Sequence, residues 1–280
     1  MRRCSARRMR LRSSVTELPA GERGEWMRWL EPLWAALSTY SVLPTPQPAW
    51  GDPRTRYAIC WFPAVGVVCG IVLWGWNWIC RAAGVGSVLF ACGAVCLPLL
   101  LTGGIHLDGY MDTVDALASH QPREKKLAIL KDSHCGAFAG IYCGIWFMLL
   151  FGLYVEIYTA GQVAALYPVF AFSRALSALC AITMPNARGS GMLATFTSSA
   201  RTSAAVAATG LTAVLAGSGM VMLSPAAGTG AVAAGLISVA AYRRMAMRQF
   251  GGATGDTAGF FLQVCELSAA AGCWVGGLLA

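Results

Sequence analysis

Seven apolar stretches, near residues 58–80, 84–104, 137–159, 162–184, 203–223, 226–242 and 257–279, constrain this chain more than any other feature. A bilayer core about 30 Å thick is crossed by about 20 helical residues, and backbone polar groups inside lipid must find partners within the protein. Runs of this length therefore read as spanning α-helices. Only 12% of the residues are charged and 56% are hydrophobic, whereas about 25% charged is usual in soluble domains. The expected fold is all-α, a polytopic membrane bundle of about seven transmembrane helices embedded in the lipid bilayer.

Charge then orients the bundle. If Arg54 and Arg56 are cytoplasmic, alternation puts the loops 105–136, 185–202 and 243–256 on that same side. Those loops hold Arg123, Lys125, Lys126, Lys131, Arg188, Arg201, Arg243, Arg244 and Arg248, while the opposite loops hold Arg81. This is the positive-inside bias of a multi-pass cell-membrane protein. The net charge of +8 gathers at the N-terminus and in these loops, which speaks to topology and anionic lipid and not to nucleic acid. Residues 1–25 carry seven arginines and no apolar core, so they read as a basic, disordered cytoplasmic tail and not as a signal peptide. Residues 26–280 read as one membrane domain. Its first segment, 26–44, is Trp-rich but interrupted by Glu31, Pro32 and Pro44, which suggests an interfacial or re-entrant helix. The eleven cysteines show no paired spacing and read as small buried apolar residues.

One stretch departs from this apolar background. Between Gly103 and Gly136 the chain reads GGIHLDGYMDTVDALASHQPREKKLAILKDSHCG. Asp108, Asp112 and Asp115 stand at i, i+4 and i+7, so a short helix would gather them within an arc of roughly 60°. Three anions about 6 Å apart repel by about 2 to 3 kcal/mol per pair at an effective dielectric of about 20. Such a face needs a cation or displaced pKa values. Mg²⁺ fits, because it takes a few carboxylates and completes its shell with water and phosphate oxygens. A solvated acidic helix face is the plain alternative.

Around the triad stand further candidates. Asp132 would return a fourth carboxylate to the base of the next span, and with Ser133 it also suits helix capping. His106 and His134 flank the acids, where a histidine serves as acid, base or hydrogen-bond donor. Arg174 lies inside a span, so it should face a polar cavity or a partner, either Glu266 or a substrate phosphate. Glu156 falls near the outer end of its span. Two more motifs share the island's side of the bundle: a Gly-flanked Arg188 in ARGSGMLATF, and the turn FGGATGDTAG carrying Gly255 and Asp256. A glycine-rich turn before a helix offers backbone N–H groups to phosphate. Carboxylates for Mg²⁺ beside Lys and Arg suit the transfer of a group from a diphosphate at a membrane surface.

The island, as G-G-x-H-L-D-G-x-x-D-x-x-D-A-x-x-S followed by R-E-K-K-L-x-I-L-K-D-S-x-x-G, closely resembles the signature of the cobalamin synthase (adenosylcobinamide-GDP ribazoletransferase) family. Tyr40 to Pro44 with Phe62, Pro63 and Gly66, then Ser173 and Arg174, Ala187, Arg188 and Gly191, and Gly251 to Asp256 with Gly259 and Glu266, resemble it too. The resemblance runs from about Trp34 onward. It implies an integral membrane enzyme that joins adenosylcobinamide-GDP to α-ribazole or α-ribazole 5′-phosphate, releases GMP and requires Mg²⁺. Carried onto this chain, it gives Asp108, Asp112, Asp115 and His106 as catalytic and Asp108, Asp112, Asp115 and Asp132 as metal-holding. Lys131, Ser133, Arg174, Arg188, Gly255 and Asp256 are then expected to bind substrate. The chain departs from many members at Val42, where a basic residue is common, and from some at Gln263, where a glutamate stands. The resemblance leaves the oligomeric state open, a homo-oligomer included. Membrane prenyltransferases and alcohol phosphotransferases also place Asp clusters at a bilayer face, but with other spacings; a cation transporter would carry its carboxylates near mid-bilayer.

Overall fold

The computed structural model describes residues 29–48, 53–132, 134–189 and 203–280. The basic tail 1–25, Ser133 and the loop from Ser190 lie outside the described residues. The described residues are helical apart from connecting loops and one isolated parallel bridge, Asn186 to Ala253.

Helix α1, Glu31–Tyr40, is ten residues long, about 15 Å at 1.5 Å per residue, and so falls short of a crossing. Its first turn accommodates Pro32, where a missing N–H costs nothing. It packs on α2, Ala58–Ala82, with Ala35, Ala36 and Leu37 against Ile59, Phe62 and Val65. Helix α3 is Ser87–Thr102, α4 Ile105–Ala118, α5 Arg123–Ile129 and α6 Ala137–Thr159. After a 3₁₀ turn at Val163–Leu166 come α7 (Val169–Thr183), α8 (Ser203–Leu223), α9 (Pro225–Gln249) and α10 (Gly255–Leu278).

Six helical segments are long and apolar enough to cross a membrane, and α3 with α4, bent by 94° at their junction, make a seventh when the pair is counted as one broken span. The bend has a local cause. Gly103 and Gly104 both adopt left-handed φ, 65° and 73°. The amide of Gly104 donates to Leu99 O at 2.9 Å and that of Gly103 to Leu100 O at 3.3 Å, the bond pattern of a Schellman termination. Apolar α3 therefore stops and α4, with the aspartates, turns out of the crossing direction. The sixth expected span is longer than 226–242: α9 runs on to Gln249. Arg243, Arg244 and Arg248 thus sit on a helical extension, because straight-chain basic residues sustain a helix after lipid contact ends.

Helix α7 lies at the centre, buried along nearly its whole length. It approaches α2 closely: a Cβ on Gly66 would fall 2.2 Å from Phe170 O, and one on Gly70 2.2 Å from Tyr167 O. Small residues at such crossings are what let helices associate in lipid, where no hydrophobic force separates helix from solvent. At the end of the bundle carrying Arg81, the guanidinium lies over Tyr158, whose hydroxyl donates to Val85 O. The island, the 185–189 segment and the α9–α10 turn meet at the opposite end. Beneath the island, Ala116, Leu130 and Phe250 form a small core of their own.

Candidate active site

The side of α4 opposite the aspartates is buried through His106, Gly109, Tyr110, Thr113 and Ala116. Asp108 is exposed, and Asp112 and Asp115 are partly covered. Two glycines set how α4 meets α10. A Cβ on Gly109 would stand 2.9 Å from Asp256 O, and one on Gly259 2.9 Å from His106 O. That contact delivers Asp256 to the triad. Burial, then the charges of Asp108, Asp256 and Asp115, push the Asp112 carboxyl up to about 7, against the opposing pull of Arg188.

The fourth carboxylate of the cluster is thus Asp256, in place of Asp132. Asp132 is exposed; its Oδ1 accepts the amide of His134 at 3.1 Å and lies 2.6 Å from that ring's Nδ1. The first turn of α6 is capped by Asp115: its Oδ2 accepts from Gly136 N at 2.6 Å and its Oδ1 from Ala139 N at 2.8 Å. Both Asp115 oxygens already serve the first turn of α6, where N–H groups lack helical partners.

Arg188 is brought in by backbone pairing. Ala187 N donates to Ala253 O at 3.0 Å and Ala253 N to Pro185 O at 2.8 Å, while Asn186 Oδ1 accepts the amides of Arg188 and Gly189. The guanidinium then lies with Nη2 2.9 Å from Asp256 Oδ2. The contact is an ion pair without the alignment of a hydrogen bond, since neither atom, nor Arg188 Nε, has a hydrogen-bond partner.

The glycine-rich turn behaves differently from a phosphate cradle. Its amides from Gly251 to Thr254 donate to Met247 O, Ala246 O, Pro185 O and Thr257 Oγ1. Thr254 and Thr257 cap each other reciprocally, a capping box. Gly251 and Gly252 serve close packing, against the Arg123 guanidinium and Pro185 O. The amide of Gly255, at the exposed start of α10, makes none of these bonds. Lys126, buried, donates to Gln249 Oε1 and so docks α5 onto the end of α9. Lys131 is exposed beyond it.

Two further expected residues, His106 and Arg174, do not join the cluster. His106 is two positions before Asp108, about 200° around the helix, and points into the bundle, its ring stacked on Tyr40 at 5.9 Å and tilted against Phe62 at 5.4 Å. Burial and the Arg174 charge hold it well below the usual histidine range, so it is neutral. Arg174 is only 2% exposed; its Nη1 donates to Glu266 Oε1 at 2.9 Å and to Phe170 O at 3.0 Å, and Ser173 Oγ donates to the same carboxylate at 3.0 Å. Of its two expected partners the structure selects Glu266, and the guanidinium is not available to phosphate. Beside it a cavity of about 20 Å³, reached by Gln263 and Tyr154, is large enough for about one water. Glu156 is exposed near the far end of α6, as its position suggested.

The donor set suits Mg²⁺ in chemistry. Among the described residues no group of three or more His, Cys, Asp or Glu side chains is placed to hold a metal ion together. Mg²⁺ does not require one: one or two carboxylates with substrate phosphates and water are its usual company. Asp112, its carboxyl pushed up first by burial and then by the surrounding anions, is the residue with most to gain from a cation. A groove of about 480 Å³ lies elsewhere, among Val67, Ile71, Trp74 and Leu215 of the apolar surface.

The family model described as Cobalamin-5-phosphate synthase matches residues 32–274. A protein of Lachnoclostridium phytofermentans named adenosylcobinamide-GDP ribazoletransferase is 39% identical over 87% of this chain and 93% of its own. Proteins bearing the same name from Pseudomonas fluorescens and Fusobacterium nucleatum are 32% and 28% identical, over 86% and 82% of this chain and 98% and 92% of theirs. No solved structure matches the chain significantly.

Proposed function

Because the chain belongs to the cobalamin-5-phosphate synthase family, and is thus a multi-pass membrane transferase of cobalamin biosynthesis, we propose that its reaction is the Mg²⁺-dependent transfer named for its relatives. Adenosylcobinamide-GDP gives up its corrinoid-bearing phosphoryl group to a hydroxyl of α-ribazole or α-ribazole 5′-phosphate, and GMP departs. The hydroxyl oxygen forms a bond to the phosphorus carrying the corrinoid, the hydroxyl proton is lost, and the P–O bond to GMP breaks with its electron pair. Asp108 and Asp112 would hold Mg²⁺, which would supply positive charge to a bound diphosphate. Asp256 completes the electrostatic surroundings, and Asp115 contributes charge while fixing α6. Arg188 and Lys131 steady the phosphates, with the Gly255 amide at the α10 N-terminus as a further donor. Asp132, Arg174 and His106 are left out of these roles on the placements described above.

Phosphoryl transfer asks a protein mainly for positioning and electrostatic stabilisation, and the cluster is built for both. The match across nearly the full length of relatives named for this activity supports the reading most. The excess of Lys and Arg at the site end of the bundle supports a cytoplasmic active site. Purified protein incubated with adenosylcobinamide-GDP, α-ribazole and Mg²⁺ should yield GMP and adenosylcobalamin by mass spectrometry. Intact substrates under those conditions, with the protein folded, would defeat the reading.

A further inference from the structure

We propose that Arg188 and Asp256 are exchange partners: with no substrate bound Arg188 neutralises Asp256, and an arriving diphosphate draws Arg188 onto its oxygens and releases Asp256 to the carboxylate set that faces the cation. This rests on the reading above that the cluster receives a metal and a diphosphate.

Three observations carry the exchange. The first is the quality of the ion pair. Nη2 of Arg188 is 2.9 Å from Asp256 Oδ2, yet neither that contact nor Nε meets the geometry of a hydrogen bond. A guanidinium has five N–H donors arranged as a fork that grips carboxylate or phosphate at two points. Here Nε and Nη2 have no hydrogen-bond partner, an unspent edge that phosphate oxygens would occupy better than Asp256 does. The side chains are 19% and 25% exposed while Nε, Nη2 and Asp256 Oδ2 are themselves buried and without a hydrogen-bond partner, so a ligand meets the exposed parts first and the two side chains must turn to present those atoms.

The second is that both backbones are fixed independently of the pair. Asn186 and Ala253 are bridged, Asn186 Oδ1 holds the amides of Arg188 and Gly189, and Thr254 with Thr257 caps α10. Exchange then needs only side-chain rotation, with both loops in place.

The third is charge. Asp108, Asp112, Asp115 and Asp256 share one locality with Arg188 as the cation that acts on both Asp112 and Asp256. A divalent cation entering such a cluster takes over the neutralisation of the acids. Arg188 then becomes redundant for Asp256 and is a cation beside the acids that can turn to the incoming phosphates.

The test measures binding, with full-length protein in detergent, Mn²⁺ as the metal probe and inorganic pyrophosphate as the diphosphate probe. For Asp256→Asn the exchange predicts that pyrophosphate alone binds about tenfold more tightly than to the unmodified protein, because Arg188 is no longer engaged. For Arg188→Gln it predicts that Mn²⁺ alone binds more tightly, by about 3- to 10-fold, and that pyrophosphate no longer strengthens Mn²⁺ binding. Arg188→Lys, which keeps the charge without the fork, should leave Mn²⁺ binding near normal and lose most of the pyrophosphate effect. Unchanged or weaker pyrophosphate binding by Asp256→Asn, or unchanged or weaker Mn²⁺ binding by folded Arg188→Gln, overturns the exchange. Failure of the metal reading is separate: it would show as no Mn²⁺ binding by the unmodified protein, or as Mn²⁺ binding untouched by Asp112→Asn. The pyrophosphate measurement on Asp256→Asn needs no metal and still judges the exchange in that case.

Discussion

Gly109 of α4 meets Asp256 of α10 with no room for a side chain between them: a Cβ at Gly109 would lie 2.9 Å from the Asp256 carbonyl oxygen and 3.0 Å from its Cα. The obstacle is backbone, so it cannot swing aside as a flexible side chain would. Gly109→Ala should push the helices apart and carry Asp256 away from the triad, at a cost of about 1–3 kcal/mol in stability. Turnover should fall by more than about tenfold, since small displacements in a positioned site are costly. Thermal unfolding in detergent and GMP release would check both; normal turnover by Gly109→Ala would show that the crossing does not position the site.

Asp112 sits within a ring of like charge. Asp112→Asn removes one anion while keeping shape, so the protein should insert and fold as before. GMP release should drop by about 100-fold or more, the scale of losing one transition-state electrostatic partner. Turnover near that of the unmodified protein would remove the carboxylates from the mechanism.

The same residue sets a pH dependence. With its carboxyl pushed up to about 7 from 3.8, folding favours the protonated form, so this group's contribution to stability is fully present below about pH 4 and declines as pH rises to about 7. Metal binding has the opposite slope, because the cation takes the ionised form. Between pH 5 and 7 the apparent Mg²⁺ affinity should rise by up to about tenfold per pH unit, with proton release on binding. Calorimetry in two buffers of different ionisation heat measures that release; none at pH 6 would count against Asp112 as the metal-linked group.

Asp115 separates two roles. Its oxygens accept from Gly136 N and Ala139 N, so Asp115→Ala should lose a helix cap worth about 0.5–2 kcal/mol. Asp115→Asn keeps one acceptor oxygen and should lose less. If Asp115 also acts through its charge, the two variants should be similarly poor in turnover although they differ in melting temperature. Turnover that simply tracks stability would make it a cap alone.

The Arg174–Glu266 pair should behave as structure. Glu266→Gln leaves a buried guanidinium without its counter-charge, a loss of about 3–5 kcal/mol, and should reduce the folded yield. Replacing both residues with methionine removes the uncompensated charge and should recover much of that yield. A double variant as unstable as the single would mean that the pair serves more than neutralisation.

For topology, a protein keeping Cys135 as its one cysteine should react with an impermeant maleimide from the cytoplasmic side. A cysteine at Ala83 in place of Cys135 should react from the other side. Cys135 is exposed in the island and Ala83 is exposed at the Arg81 end. Reaction of both from one side would break the topology.

What this sequence determined by itself is what local rules govern. Hydropathy over about 20 residues located the crossings, helical periodicity put Asp108, Asp112 and Asp115 on one face, and charge asymmetry gathered three motifs at one end. The family signature was equally readable, being written in contiguous spacing. Contacts between distant segments were decided only by tertiary structure. Asp256 and not Asp132 became the fourth acid because two glycines 150 residues apart let α4 and α10 touch. Arg174 found Glu266, 92 residues away, and Asp115 became the cap of a helix that starts 22 positions later, roles that no spacing along the chain encodes. The physical reason is range: hydrogen bonding and solvation within a helix act over a few residues, whereas which carboxylates share a charge environment depends on how whole helices cross.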